Sequence, residues 1–129
     1  MRYVVDTHAL VWFLSQDSRL GKNAKLILAD SSAPLIIPSL VLAEAKHISD
    51  RKRIPISFDE IMRVIASSPR INIFPLDIFV VASLPLAFDI HDGLIVATAQ
   101  IARALFAEDV SILTRDNVIT DSGLIPVVW

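Results

Sequence analysis

The chain has no cysteine. Disulfides and thiolate metal sites are therefore excluded, and the composition fits a reducing compartment. Glycine is scarce: Gly21, Gly93 and Gly123 are the only three in 129 residues. No GxGxxG turn or phosphate-cradling loop can be assembled from them, which removes the nucleotide-binding fingerprints. Long apolar runs are missing too. The longest, 78–88, is too short to span a bilayer and contains Pro85. The opening segment does not read as a signal peptide, because Asp6, Thr7 and His8 interrupt its apolar stretch and no small-residue cleavage site follows. Neither sign of charge dominates: 12 Lys+Arg against 14 Asp+Glu leave a net −2. That argues against a strongly basic nucleic-acid binder but leaves room for a local basic patch. Together these absences predict a soluble, cytoplasmic protein with no membrane segment.

What is present is apolar. Hydrophobic residues make up 53% of the chain and charged ones 20%, enough for a core and too little charge for a disordered segment. The length predicts one domain over residues 1–129. Mean hydropathy is high for that size, at +0.57. Some apolar surface is therefore expected to be left for a second copy or another protein to cover.

Along the chain, strands alternate with helices. Tyr3-Val4-Val5 is a short β-rich run that stops at Asp6, and an apolar helix follows over 9–14. A second helix is predicted over 22–29, a buried strand over 34–38, and a helix over 40–50 with Ser39 as its N-cap. Arg51-Lys52-Arg53 suits that helix's C-terminal dipole, and Pro55 prevents continuation. Ser57 and Glu60 form a capping box for a helix reaching Ser68. A strand at 71–74 and a helix capped by Asp77 and ended at Pro85 come next. Asp89 caps a long apolar helix over 90–106; strands follow at 110–114 and, as an edge containing Pro126, at 125–129. Such alternation predicts an α/β fold: a three-layer α/β/α sandwich around a central, mainly parallel twisted sheet.

Four acids stand in unusual places. Asp6 and Asp116 both follow strands, and in a parallel sheet the strand C-termini share one edge, where ligands gather. Each could instead be a plain helix or turn cap. Glu44 falls between Leu40 and Ile48 on an apolar stripe, where an unpaired carboxylate is costly; the alternative is a side chain that reaches solvent. Asp92 lies in the first turn of the long helix, where dipole complementation is the plain reading, although Asp89 already supplies the cap. Carboxylates cannot converge unpaired, because each raises the others' pKa. A hard divalent cation, Mg²⁺ or Mn²⁺, resolves the conflict, and zinc is a poorer fit with only His8, His47 and His91 available. Such an ion can activate water and stabilise the leaving oxygen of a phosphodiester.

The motifs resemble a family. Val5-Asp6-Thr7-His8-Ala9-Leu10-Val11-Trp12 is similar to the "DTHALLW" opening of PIN-domain endoribonucleases, specifically the VapC toxins of toxin–antitoxin pairs. The stretch from Pro38 to Lys46 resembles their second motif, an acid in the helix after strand two. Leu84-Pro85 with the segment from Asp89 to Ala99 resembles "LP…DPFDRLLIAQA", and Leu113-Thr114-Arg115-Asp116 resembles "LVTAD". Val127-Val128-Trp129 matches the usual finish. The resemblance spans essentially the whole chain. It implies a metal-dependent ribonuclease in which Asp6, Glu44 and Asp92 hold Mg²⁺ or Mn²⁺, Asp116 is a fourth ligand, and Thr7 orients the site. It implies an RNA substrate, a small cognate antitoxin and a homodimer. Two departures stand out: Gly93 where the pattern has Arg, and Ile90-His91 where it has Pro-Phe.

Other features have two readings. Lys46, Arg51, Lys52 and Arg53 could contact RNA phosphates or form a solvated helix end. His91, and similarly His8, could shuttle protons or be a surface residue. Trp12 and Phe13 could stack on a base, or divide between the core and a protein contact. Arg115 balances the acids. The alternatives to a toxin are a PIN nuclease of RNA processing and a non-catalytic PIN interaction module. A haloacid-dehalogenase-type site is disfavoured, since it wants Asp two residues after Asp6 and position 8 is His.

Overall fold

The computed structural model describes residues 1–129. Five strands form one sheet: β1 (Arg2–Val5), β2 (Leu35–Pro38), β3 (Ile71–Phe74), β4 (Val110–Leu113) and β5 (Val127–Val128). All neighbours are parallel, in the order β3-β2-β1-β4-β5. The parallel α/β architecture expected from the strand–helix alternation is therefore present. Every residue of β2 and β4 is buried, as are Val4 and Val5 of β1. That pattern belongs to strands covered on both faces, and it explains their continuous Val/Ile/Leu character.

Seven helices link and cover the strands: α1 (Thr7–Leu14), α2 (Lys22–Ala29), α3 (Ser39–Asp50), α4 (Phe58–Ala66), α5 (Ile78–Ala82), α6 (Ile90–Phe106) and α7 (Asn117–Ser122). Helix α6 buries eight residues, from Gly93 to Ala102, because its Ala, Val and Ile side chains let it pack closely. Eight buried apolar residues contributed by β1, β2 and β4 join it in one core cluster. Burying an Ile or Val side chain stabilises by about 1.5–3 kcal/mol each.

Some local expectations need correction. Ser39 is not the N-cap of α3: Pro38 holds that position, and the Ser39 hydroxyl instead accepts a hydrogen bond from Leu76 N at 3.0 Å, tying α3 to the segment after β3. Helix α1 begins at Thr7, two residues earlier than its apolar pattern indicates, because Asp6 caps it. Helix α4 stops at Ala66 rather than Ser68. The last strand is two residues long, not five. Pro126 does no harm there, since its carbonyl accepts from Ile112 N at 2.9 Å and no N–H is called for. Helix α7 had no apolar periodicity to announce it; Asp116 starts it and Gly123, at φ +67°, ends it.

The chain order places the site. From β1 the chain moves out to β2 and β3, then crosses back through α5 and α6 to β4 on the other side of β1. The direction of travel reverses between β1 and β4. In parallel sheets the crevice outside the strand C-termini at such a reversal is where ligands bind.

Candidate functional site

Asp6 and Thr114 face each other at that reversal. Val5 pairs with Leu113 in the β1·β4 ladder, so the next residue on each strand leaves the sheet side by side. The Thr114 hydroxyl lies near enough to the Asp6 carboxylate to favour its charged form, and it accepts from Asp116 N at 3.1 Å. Asp6 Oδ1 accepts from Ala9 N at 2.8 Å, and Asp116 Oδ1 accepts from Val118 N and Ile119 N at 2.8 and 3.1 Å. Both acids are thus N-caps, as the plain reading had it, and both also line one open cavity of about 370 Å³. The two readings are compatible because a cap engages one carboxylate oxygen and leaves the other free.

Glu44 and Asp92 reach the same cavity from α3 and α6. All four acids singled out from the sequence therefore line one cavity, together with Thr7. His8, Asn117 and Thr114 complete its polar wall, with Ile95 and Arg115. Thr114 and Asn117 were missed by sequence reasoning. The available signal was symmetry: a hydroxyl neighbours the acid after β1 (Thr7), and another precedes the acid after β4 (Thr114).

The electrostatics are those of a site short of positive charge. Asp6, only 8% exposed, has its pKa raised chiefly by burial. The Thr114 hydroxyl and the hydrogen bond from Ala9 N oppose the rise, and Asp116 adds to it. Asp92 is pushed up to about 6, first by burial and then by Asp116, Asp89 and Glu44. Two oxygens are buried with no partner at all, Thr7 Oγ1 and Glu44 Oε1. Such groups normally find a partner, and leaving one unsatisfied costs roughly 1–3 kcal/mol. The second Glu44 oxygen lies 3.6 Å from Nδ1 of His91, an exposed residue that lines a neighbouring hollow and not the acid cavity.

This donor set fits a hard divalent cation: carboxylate and hydroxyl oxygens, surplus negative charge, and an orphaned buried oxygen on each of two lining residues, Thr7 and Glu44. The fit is not a finished cage, since no three His, Asp or Glu side chains stand close enough to form a metal-holding group. Capping explains part of the spacing. Asp6 and Asp116 are anchored to their own helices, and uncompensated carboxylates repel.

Asp89 does what its position indicates, accepting from His91 N and Asp92 N at 3.0 and 3.1 Å. Gly93, in the place of an expected Arg, is buried. A Cβ there would lie 2.7 Å from Leu84 Cδ1 and 3.3 Å from Phe88 Cβ, so the preceding loop occupies the space. Of the four basic residues considered for RNA, Lys46 pairs with Asp50, and Arg51 hydrogen-bonds His47 at 3.2 Å. Lys46 and Lys52 line a separate hollow that also holds Asp50, Asp59 and Glu60. Arg53 alone lies beside the acid cavity, in a hollow that shares His8 and Arg115 with it. Trp12 is buried, and Phe13 packs partly buried against the core. No helix is long and apolar enough to cross a membrane.

No curated protein matches the chain. The family model described as the PIN domain, however, matches residues 3–121, from the middle of β1 to the end of α7. PIN domains are generally nucleases and typically use divalent metals. The matched span contains all four acids and both threonines of the cavity, and the chain belongs to the PIN-domain family.

Proposed function

We propose that the chain is a Mg²⁺- or Mn²⁺-dependent endoribonuclease of the VapC kind, a toxin restrained by a small antitoxin protein. One observation carries the reading: Asp6, Glu44, Asp92 and Asp116 line a single cavity, and two of its lining residues, Thr7 and Glu44, each carry a buried oxygen with no partner. In this reading Asp6, Glu44 and Asp92 hold the ion, Asp116 assists, and Thr7 and Thr114 orient the set through their hydroxyls. A divalent ion would supply charge neutralisation at the phosphate and an acidified water. The chain's own part is positional. Helix caps fix Asp6 and Asp116, while Glu44 and Asp92 approach from α3 and α6. The raised pKa of Asp92 marks where a cation is wanted, because removing a proton there costs less once positive charge is bound.

An antitoxin and a second copy of the chain are supported by an apolar surface. Ile78, Phe79, Val81, Leu84, Leu86 and Ile90 are all exposed, on α5, the loop after it and the first residue of α6. Exposed apolar side chains concentrated in one stretch of chain are a protein-contact feature.

The test is cleavage of total RNA by wild type beside Asp6→Asn and Asp92→Asn, in Mg²⁺ and in excess EDTA. The reading requires discrete products from wild type in Mg²⁺ only. Cleavage that survives both substitutions and EDTA would refute it. Induction in a host lacking an antitoxin separates toxin from processing enzyme: a toxin arrests growth and a processing enzyme does not. The spacing of the carboxylates is the one observation that favours a non-catalytic module. Calorimetry decides that point, since such a module takes up no Mn²⁺.

A further inference from the structure

The acid cavity has a basic neighbour. A second hollow, of about 270 Å³, shares His8 and Arg115 with it and is lined further by Trp12, Arg19 and Arg53. No carboxylate lines this hollow. Its centre is Trp12, 4% exposed and pinned edge-on by Trp129 at 5.9 Å. The Arg115 guanidinium sits 4.5 Å from the Trp12 ring centroid, the Arg19 guanidinium 4.6 Å, and the His8 ring 5.0 Å. Arg19 is already neutralised by a two-pronged pair with Asp17. Arg115 and Arg53 are exposed and form no ion pair.

The arrangement is unusual for surface arginines. A free guanidinium loses much rotamer entropy when it binds, whereas one stacked on a fixed indole is already ordered. Trp12 is too buried to stack on a base, and its ring is instead covered by the guanidinium groups of Arg115 and Arg19. A planar guanidinium presents paired donors that match the oxygens of a phosphate. The acids next door repel the same anion, so a phosphate entering this face meets its attraction only here.

The geometry points to Arg115, ordered on the Trp12 ring, and Arg53, which lines the same hollow, as a subsite for the backbone phosphate adjacent to the one held at the acid cavity, on a single-stranded RNA. This rests on the proposed ribonuclease function for the identity of the strand but not for the subsite's affinity. Arg115 and Arg53 bind the phosphate; Trp12 is a positioning residue and touches no substrate. Arg19 adds little, because Asp17 answers its charge.

Binding without cleavage tests it. Fluorescence anisotropy of a labelled, 2′-O-methylated, single-stranded oligonucleotide is measured in EDTA across a salt series, with the full chain. Arg115→Ala and Arg53→Ala are each expected to weaken binding about 5- to 20-fold at low salt and to lower the log–log salt slope by about 0.7. Arg115→Lys, which keeps the charge but loses the paired donors, should recover part of the affinity. Lys46→Ala and Lys52→Ala, in the other hollow, should leave the slope unchanged. Arg53 is exposed, so Arg53→Ala stays informative even if Arg115→Ala impairs folding. Wild-type affinity and slope in both arginine variants would overturn the subsite. So would losses as large from Lys52→Ala, an oligonucleotide that does not bind, or arginine-dependent binding of polyglutamate in place of RNA. The cleavage test with Asp6→Asn is independent: either result can fail while the other stands.

Discussion

Asp6 and Asp89 perform the same local task with opposite electrostatic outcomes. Each is an N-cap, and each accepts from backbone N–H groups of the first turn of its helix. The Asp89 carboxyl is held below its ordinary range, mainly by the bond from Asp92 N. Asp6 is driven above that range, because burial outweighs the Thr114 hydroxyl and the hydrogen bond from Ala9 N. The difference is where the two helices start. Helix α6 begins in solvent, whereas α1 begins at the closed end of the sheet, between β1 and β4. A cap at the surface stabilises its helix and reaches the cavity only through its neighbour, Asp92. A cap at the strand reversal is placed against three other acids, and its second oxygen becomes available for chemistry.

The largest test of this contrast is a pair of substitutions. Asp6→Asn should lower RNA cleavage by about 100-fold or more, in the range expected when an essential carboxylate is removed. Asp77→Asn, at an outlying cap of α5, should leave the cleavage rate unchanged. Initial rates on a fluorogenic RNA separate them, and equal loss in both would erase the distinction between caps.

Thr114→Val is the next sharpest. The change keeps shape but removes the hydroxyl that accepts from Asp116 N and favours the charged form of Asp6. Cleavage should fall by roughly 10- to 100-fold, as for other groups that orient ligands, while unfolding in urea shows a loss of only about 1 kcal/mol. A loss of stability with unchanged cleavage would make Thr114 a fold residue only.

The third test uses pH. The folded-state pKa values of Asp6 and Asp92 are raised, so their ionisation is disfavoured in the native state. Their penalty is absent below the unfolded value of 3.8. It grows as pH rises, and for Asp92 it is complete above about 6. Asp17, Asp30 and Asp89 are lowered and act oppositely, withdrawing stability only as pH falls below about the same starting point. In EDTA the melting temperature should therefore fall by a few degrees between about pH 4 and pH 7. Mn²⁺ should restore it at pH 7 and do little at pH 4. A flat profile would remove the electrostatic conflict on which the contrast rests.

The smallest effect lies at a helix end outside both groups. Ala107 closes α6 in the left-handed region, at φ 51°. Ala107→Gly should stabilise by roughly 0.5–1 kcal/mol, the relief of that strain less the glycine's extra unfolded-state entropy. Cleavage should not change, and differential calorimetry beside initial rates checks both.

Local chemistry was legible wherever it is written into neighbouring residues. The buried strands showed themselves as apolar runs, the capping box of Ser57 and Glu60 marked α4, and Asp89 was read as a cap. Helix α7 was not legible: six residues, Asn117–Ser122, are too few to show a period, and a single buried side chain, Ile119, anchors them. The basic run 46–53 was misleading for the same reason in reverse. Its residues are adjacent in sequence, but a helix and the turn after it send Lys46 and Lys52 to one hollow and Arg53 to another.

By itself, then, the sequence determined all the elements but α7, to within a few residues, and the kind of chemistry: an all-oxygen set of acids, two after parallel strands and two within helices, with no thiol or glycine loop to offer another. Periodicity, capping and composition are local or additive properties, so they survive without coordinates. Only the tertiary structure decided that β4 lies against β1, which sets Thr114 opposite Asp6 and gathers Glu44 and Asp92 around them. It also decided that two arginines 62 positions apart, Arg53 and Arg115, share a hollow around one buried tryptophan. Strand order and the meeting of distant side chains depend on how the whole core packs, and no window of neighbouring residues contains that information.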